Sequence, residues 1–293
     1  GSLRLEDQTI PRKLKESNIP THTCGAGFFN EFDTLENSVD LKLLTDLLAQ
    51  FQNSNGIPKF TFLQLTSNPD FDKIAESNFS DYYNHSIEVD YKNNGDSSYI
   101  NELIQKVNEG IISLEFHGRE HLNVPVWMRY LKSGDEQTVK AFHLKYWGYD
   151  NANVNGVFYN SAYEVEKQTD IPIYIATLID GIQKFKDTFK VQPIYFVPPT
   201  GGMNSAYLKP LADNGIKLVH SARIHEDSLG DGKKKKLFRI PGTQNKFGQR
   251  YIKRNCFFEP AEKSRDWVKS CLNEIEHAFK YEQPAVISTH RVN

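Results

Sequence analysis

The chain has 293 residues, of which 39% are hydrophobic and 12% aromatic, and its formal net charge at pH 7 is −2. This is the composition of a globular protein and excludes a disordered one. So small a net charge provides no field to attract nucleic acid or an anionic membrane, and no apolar stretch reaches the roughly 18 residues of a membrane span.

The cysteines are sparse and isolated. Cys24, Cys256 and Cys271 form no CxxC pair, which indicates that no disulfide framework holds the fold. No signal peptide is visible either. Together these features favour a cytoplasmic protein.

Helical and strand periods alternate along the first half of the chain. A helical face formed by Leu41, Leu44, Leu48 and Phe51 precedes the strand-like segment KFTFLQLT. A second helix, YINELIQKVNEG, is closed by Gly110 and followed by the strand-like IISLEF.

The second half continues the alternation. Its predicted elements, in chain order, are the helix IPIYIATLIDGIQKFKDTFK, the strand PIYFV, the helix NSAYLKPLADNG, the strands IKLVHS and RYIKRNCFF, the helix DWVKSCLNEIEHAFKYE and the strand AVIST. The last helix is predicted to begin at Asp266, and the basic run Lys233–Lys236 is predicted to be a solvated hairpin tip.

Strands that alternate with helices predict an α/β fold with a parallel sheet, here as one domain over residues 1–293. The chain opens with the polar stretch EDQTIPRKLKESN before its first predicted strand, near THTCGAGFF. A parallel barrel normally begins with a strand. We therefore expect the first strand to be missing and the domain to be truncated at both ends.

Polar residues follow several predicted strands, where parallel α/β folds place their sites. His117 follows IISLEF and His290 follows AVIST, while VPPTGG follows PIYF. His117 and His121 are four residues apart and would share a helical face as ligands for Zn²⁺ or a similar ion. The spacing alone favours two ordinary polar residues, and Gly118 between them indicates a tight turn instead of a helix.

The segments FHGREH, FVPPTGG with LADNGIKLV, and STH resemble, in this order, three signature segments of the polysaccharide deacetylase family (carbohydrate esterase family 4, NodB-homology fold). The longer strings FHGREHLNVP, RNCFFEP and ISTHRVN are similar to those of a bacterial subgroup of polysaccharide (de)acetylases. The resemblance implies a distorted (β/α) barrel.

The resemblance also implies roles for individual residues. His117 and His121 would be metal ligands, His290 the general acid, and Pro198 and Pro199 one wall of the substrate groove. The implied cofactor is a divalent metal, with Zn favoured over Co, Mn or Ni. The implied substrate is an acetylated carbohydrate, which loses an N- or O-acetyl group.

Two departures from the family pattern stand out. The family's first motif is a run of aspartates that supplies the catalytic base and a third metal ligand, and no such run occurs here. In the subgroup it precedes Trp-Gly-Ser, so the initial Gly1-Ser2 implies that the run lies just upstream, unless these two residues are a remnant of expression. The arginine that usually precedes the Pro-Pro pair is Val197, so another group must orient the base.

Other residues are candidates for substrate contacts. Asn255 and Glu259 lie at the end of a predicted strand, where they would contact sugar hydroxyls or hydrogen-bond locally. Glu31 and Asp33 follow the predicted strand THTCGAGFF and are the visible carboxylates best placed to approach the site. Trp127 has the spacing of a core residue, although it would also be able to stack on a sugar ring.

Three functions remain open from the sequence. The first is a metal-dependent carbohydrate deacetylase. The second is a non-catalytic glycan-binding protein on the same barrel, which the absent aspartates and Val197 keep open. The third is a different metal-dependent amidohydrolase, which would use the same ligands and differ only in its substrate.

Overall fold

The computed structural model of the chain describes residues 10–19, 35–54, 56–149 and 155–290. The predicted strand near THTCGAGFF lies outside these residues, as do Cys24, Glu31 and Asp33. The missing first strand and the truncation of the domain therefore stay predictions.

The α-helices, numbered along the chain, are α1 (Ile10–Glu16), α2 (Ser38–Ala49), α3 (Phe71–Glu76), α4 (Ile87–Asn93), α5 (Tyr99–Asn108), α6 (Val124–Lys132), α7 (Glu136–His143), α8 (Ile171–Phe189), α9 (Leu208–Asp213) and α10 (Trp267–Lys280). The strands are β1 (Phe60–Leu65), β2 (Ser67–Pro69), β3 (Asn84–Ser86), β4 (Ile112–Gly118), β5 (Tyr195–Phe196), β6 (Leu218–His220), β7 (Ile224–Gly230), β8 (Lys233–Phe238), β9 (Arg250–Ile252), β10 (Cys256–Phe257) and β11 (Ile287–Ser288). Short 3-10 turns occur at Gln168–Asp170, Pro199–Gly201 and Ser205–Tyr207.

The central sheet has five strands in the order β1-β4-β5-β6-β9, and every neighbouring pair is parallel. The predicted α/β fold with a parallel sheet is thus confirmed. The strand order rises along the chain and never reverses, unlike that of a doubly wound sheet. A separate parallel pair, β10 and β11, follows the last strand of this sheet.

Helices cover one face of the sheet. On β4, the ring of Phe116 packs edge-on against Phe185 of α8, with centroids 6.1 Å apart, and lies 5.5 Å from Phe196 of β5. All three rings are fully buried. Because side chains alternate along a strand, the flanking residues Glu115 and His117 face the opposite side of the sheet.

A second apolar cluster forms around Trp127 of α6, whose side chain is fully buried. Its ring lies 5.7 Å from Phe142 of α7 and 5.9 Å from Phe71 of α3. Trp127 is therefore a core residue, as its helical spacing predicts, and cannot stack on a sugar.

Three local predictions can be compared with the structure. Asp266 does precede the last helix, where its side chain accepts a hydrogen bond from the N–H of Lys269. Phe51 lies beyond the end of α2 and is 62% exposed, so its placement on the buried face was wrong. Lys233–Lys236 forms most of strand β8, and the tip of the hairpin is the glycine-rich Gly230–Gly232.

In the described part of the chain, no helix combines the length and the apolar character that crossing a membrane requires.

Replacing Gly181 by alanine tests the contact between α8 and the sheet. In the interior of a solvent-exposed helix, this change stabilises the folded state by about 1 kcal/mol. Here the added Cβ would lie 2.9 Å from both Phe116 Cζ and Arg119 Cβ. We expect a net loss of about 1–2 kcal/mol of unfolding free energy in urea titrations, because overpacking outweighs the helix propensity.

The control is Gln183→Ala on the exposed face of the same helix. It should change the unfolding free energy by no more than about 0.5 kcal/mol. A Gly181→Ala variant more stable than the parent would contradict the tight packing.

Candidate functional site

His117 lies at the carboxyl end of β4, with its Nδ1 2.7 Å from the carbonyl oxygen of Val197, just past β5. Because a carbonyl oxygen only accepts hydrogen bonds, the ring proton is on Nδ1 and the lone pair is on Nε2. Desolvation, and then the neighbouring His121, lower the pKa of His117 well below its ordinary value. His117 is therefore a neutral imidazole whose Nε2 lone pair would be able to bind a metal ion.

Gly118 ends β4 with a φ of 128°, which residues with a Cβ rarely adopt. A Cβ at this position would lie 2.8 Å from the hydroxyl oxygen of Tyr163. The same hydroxyl accepts a 2.9 Å hydrogen bond from the N–H of Arg119. The carbonyl of Arg119 in turn accepts from the N–H groups of Thr66 and Ser67, at 3.1 and 2.9 Å. These bonds fix the direction in which the chain leaves the strand.

His117 and His121 meet at this turn, with ring centroids 5.3 Å apart and ring planes inclined by 67°. Helix α6 begins only at Val124, so the two residues do not share a helical face. Two imidazoles that bind one tetrahedral ion, each at about 2.0–2.1 Å, have centroids roughly 5 Å apart. The pair therefore fits a shared divalent ion as two of its ligands. Among the described residues, no group of three His, Cys, Asp or Glu completes such a site.

Between the two histidines, the side chains of Arg119 and Glu120 anchor the turn. Arg119 Nε donates to Glu120 Oε1 at 2.7 Å, and its Nη1 donates to Asp180 of α8 at 2.9 Å. Glu120 also accepts a 2.8 Å bond from the hydroxyl of Tyr82. Burial raises the pKa of Glu120, while Arg119 acts in the opposite direction. The network ties the turn to the helix behind the sheet.

His290 and Glu259 form a pair beyond the ends of β11 and β10. His290 Nδ1 donates to Glu259 Oε1 at 2.7 Å, and the backbone N–H of His290 donates to Oε2 at 3.2 Å. The histidine side chain is 52% exposed and the glutamate side chain 13%. Glu259 thus orients the imidazole and fixes a proton on Nδ1.

The remaining predicted contact residues have mostly local roles. Asn255 accepts from the N–H of Val286 at 2.8 Å and donates to the carbonyl of Pro284 at 3.1 Å, which joins the two strands of the small sheet. Pro198 and Pro199 are both buried. These two prolines support the loop after β5, and their role as a groove wall stays a prediction.

Sequence reasoning missed two residues on the same edge of the sheet as His117. His220 ends β6, and desolvation lowers its pKa to about 4. Arg254 follows β9, and its charge lowers the pKa of both His117 and His220. The position of His220 at a strand end was a usable signal, the one that identified His117 and His290. Arg254 lies in the string RNCFFEP and offered no comparable signal.

No protein-family model and no curated protein matches the chain. Among solved structures, the chain is similar to a de-N-acetylase from Aggregatibacter actinomycetemcomitans, at 10% identity and a TM-score of 0.38, over 83% of this chain and 80% of that one. It is also similar to BC0361, a polysaccharide deacetylase from Bacillus cereus, at 9% identity and a TM-score of 0.34, over 84% of this chain and 55% of that one.

A third similar structure is the alpha-amylase AmyC from Thermotoga maritima, at 9% identity and a TM-score of 0.30, over 56% of this chain and 23% of that one. The matched region spans less than a quarter of the amylase and about half of the Bacillus cereus protein. At such low TM-scores these likenesses support no conclusion about activity.

The pKa of His220 predicts a pH dependence of stability. The folded pKa of about 4 lies below the ordinary 6.5, so the unfolded chain binds the proton first as the pH falls. Stability is therefore full above pH 6.5 and declines as the pH falls towards 4, by up to about 3 kcal/mol. A His220→Gln variant should lose less unfolding free energy than the parent between pH 7 and 4.5 in urea titrations.

The matched control is His277→Gln, which removes an exposed imidazole from α10. If parent and His220→Gln declined equally over this pH range, His220 would not be the group responsible.

Proposed function

We propose that this protein is a metal-dependent hydrolase that removes N- or O-acetyl groups from a carbohydrate. The observation that carries the proposal is the pair of rings at the end of β4. His117 has its proton held on Nδ1 by Val197, which leaves Nε2 to ligate, and His121 lies at a ring spacing that fits the same ion. A chance pair of polar residues would need neither feature.

The order of the strands in the sheet supports the distorted (β/α) barrel that the sequence resemblance implies. The strand order rises along the chain, as in the wall of a barrel. His117 is the next-to-last residue of β4, His220 ends β6 and Arg254 follows β9. The proposed site is therefore at the carboxyl edge of the sheet, where barrel enzymes carry their catalytic groups.

The chemistry assigned to each residue follows from its bonds. A divalent ion at this site would lower the pKa of a bound water and polarise the acetyl carbonyl. His117 and His121 would hold the ion through neutral imidazoles. His290 would protonate the departing amine or hydroxyl from Nε2, because Glu259 keeps a proton on Nδ1. The assignments of the metal, with Zn favoured, and of the acid are part of the proposal.

A third ligand and a base are also needed. The carboxylates proposed for these roles are Glu31 and Asp33, which lie outside the described residues, or the aspartates implied by the family resemblance. Replacement of Glu31 by Gln and Asp33 by Asn separates these possibilities. If one of them serves as ligand or base, its loss should abolish activity.

A second candidate function is a non-catalytic glycan-binding protein on the same fold. It is favoured by the buried, uncharged Val197, which stands where the family that the sequence resembles has an arginine. Such a protein would bind acetylated chitooligosaccharides without releasing acetate. A different metal-dependent amidohydrolase would bind metal and hydrolyse an amide or imide that is not part of a sugar.

Removal of either ligand should abolish metal binding. We expect His117→Ala and His121→Ala, made in the full-length protein, to lose the bound metal and to lower kcat/KM by at least about 100-fold. Metal content is measured by elemental analysis, and activity by acetate release from acetylated chitooligosaccharides and xylan. His290→Ala should keep the metal and lower kcat by about 100-fold, since it removes a general acid.

The control is His277→Ala, which removes an exposed imidazole from α10 and should leave metal content and rate unchanged. Full activity in both His117→Ala and His290→Ala would refute the assignment.

Glu259→Gln tests the orientation of the acid. The amide cannot accept as strongly from His290 Nδ1 as a carboxylate does, so the proton held there is less fixed. We expect kcat to fall about 10-fold with metal content unchanged. Glu262→Gln, the same change at an exposed position three residues away, should have no effect. Equal rates for the two variants would remove Glu259 from the proposed mechanism.

A further inference from the structure

We propose that Arg254 binds an oxyanion of the substrate, so that the preferred sugar carries a carboxylate or a phosphate beside its acetyl group. Only one part of this inference rests on the proposed function, namely that the sugar carries an acetyl group. The anion-binding site itself is argued from the surroundings of the guanidinium.

Arg254 is placed at the edge of the sheet where the candidate metal ligands lie. It follows β9, and its charge acts on His117 at the end of β4 and on His220 at the end of β6. It also interacts with Glu259, the partner of His290. A group bound at this guanidinium would therefore lie near both halves of the proposed site.

The guanidinium is poorly compensated. Its Nη1 donates to the hydroxyl of Ser288 at 2.9 Å. Its Nε is buried, and within the described ranges it has no hydrogen-bond partner. The two oxygens of the nearby Glu259 both bind His290. An arginine offers five N–H donors in a planar fork, and one neutral hydroxyl satisfies few of them.

Two other arginines of the chain provide the comparison. Arg119 binds Glu120 and Asp180, and Arg129 binds Glu166 and Asp170. Each of these cations thus has two carboxylate partners, whereas Arg254 forms no carboxylate hydrogen bond among the described residues.

Arg239 also donates to hydroxyls, those of Ser221 and Ser205, but it differs from Arg254 in access. It is 4% exposed, and its guanidinium lies 4.9 Å from the ring centre of Tyr251. A ligand cannot reach it without opening the core. Arg254 is only partly buried and is therefore accessible.

These surroundings select the chemical class of the ligand. Partly desolvating a cation without a counterion is unfavourable, and an oxyanion provides both the opposite charge and two acceptors for the fork. A neutral sugar hydroxyl provides a single weak acceptor. We expect an anionic sugar to bind about 10- to 100-fold more tightly than a neutral one.

Binding of simple sugars tests the anion site without relying on catalysis. Titration calorimetry on the full-length protein would use D-glucuronate for the carboxylate, glucose 1-phosphate for the phosphate, and glucose as the neutral probe. We expect at least one anionic probe to bind 10-fold or more tightly than glucose. Arg254→Gln should abolish the difference, and Arg254→Lys should restore part of it.

The matched control is Lys253→Gln, which removes a positive charge from the adjacent, exposed residue. It should leave the preference for the anionic probe intact. Equal loss in Lys253→Gln and Arg254→Gln would indicate a general surface potential and overturn the site. Equal binding of anionic and neutral probes by the parent protein would overturn it as well. This comparison uses the parent protein only and does not depend on the folding of a variant.

Kinetics separate this inference from the proposed function. If the parent releases no acetate from any sugar, but Arg254 is needed for glucuronate or phosphate binding, the deacetylase proposal fails and the anion site stands. If acetate is released and Arg254→Gln leaves the kcat/KM ratio of anionic to neutral acetylated sugars unchanged, the anion site fails and the deacetylase stands.

Discussion

The turn at Gly118 is the constraint on which the candidate site depends. The strand ends at this residue, and its φ of 128° and the nearby hydroxyl of Tyr163 leave no space for a Cβ, so that glycine is required. Along a continued strand, His117 and His121 would lie about 13 Å apart. The turn instead brings their ring centroids to 5.3 Å. The proximity of the two imidazoles is thus a property of the backbone turn and not of the histidine spacing alone.

Electrostatics reinforce this geometry. Desolvation lowers the pKa of both His117 and His220, and the charge of Arg254 acts in the same direction. Imidazoles that resist protonation are the form that binds a metal ion. Arg254 itself forms no hydrogen bond to a carboxylate among the described residues. The charge of Arg254 therefore favours the neutral form of both imidazoles. In our proposal, the same charge also attracts an anion to this edge of the sheet.

Hydrophobic periodicity was sufficient to predict the parallel α/β fold, because both helices and strands must bury a regular apolar face. It failed at Phe51, since periodicity does not show where a helix ends. The pair His117 and His121 was proposed from its position at a strand end and from the resemblance of FHGREH to a family motif, because the spacing alone favoured two ordinary polar residues. Arg254 was not predictable, since its influence on His117 depends on the carboxyl ends of β4 and β9 lying on the same edge of the sheet, across 136 intervening residues. Interactions between residues so far apart in the sequence are visible only once the order of the strands in the sheet is known.

Val197 stands where the family that the sequence resembles has an arginine, and the assembled sheet shows what this residue does here. The backbone carbonyl of Val197 orients His117, and a carbonyl is available from any residue type at this position. The side chain is buried and carries no charge. The guanidinium that acts on His117 comes instead from the segment after β9, where it also contacts Ser288 of β11. Arg254 also interacts with Glu259, which binds His290. An arginine before the Pro-Pro pair would instead lie directly after β5. The cationic charge that acts on His117 therefore comes from the segment that also carries Glu259, and not from the position before the Pro-Pro pair.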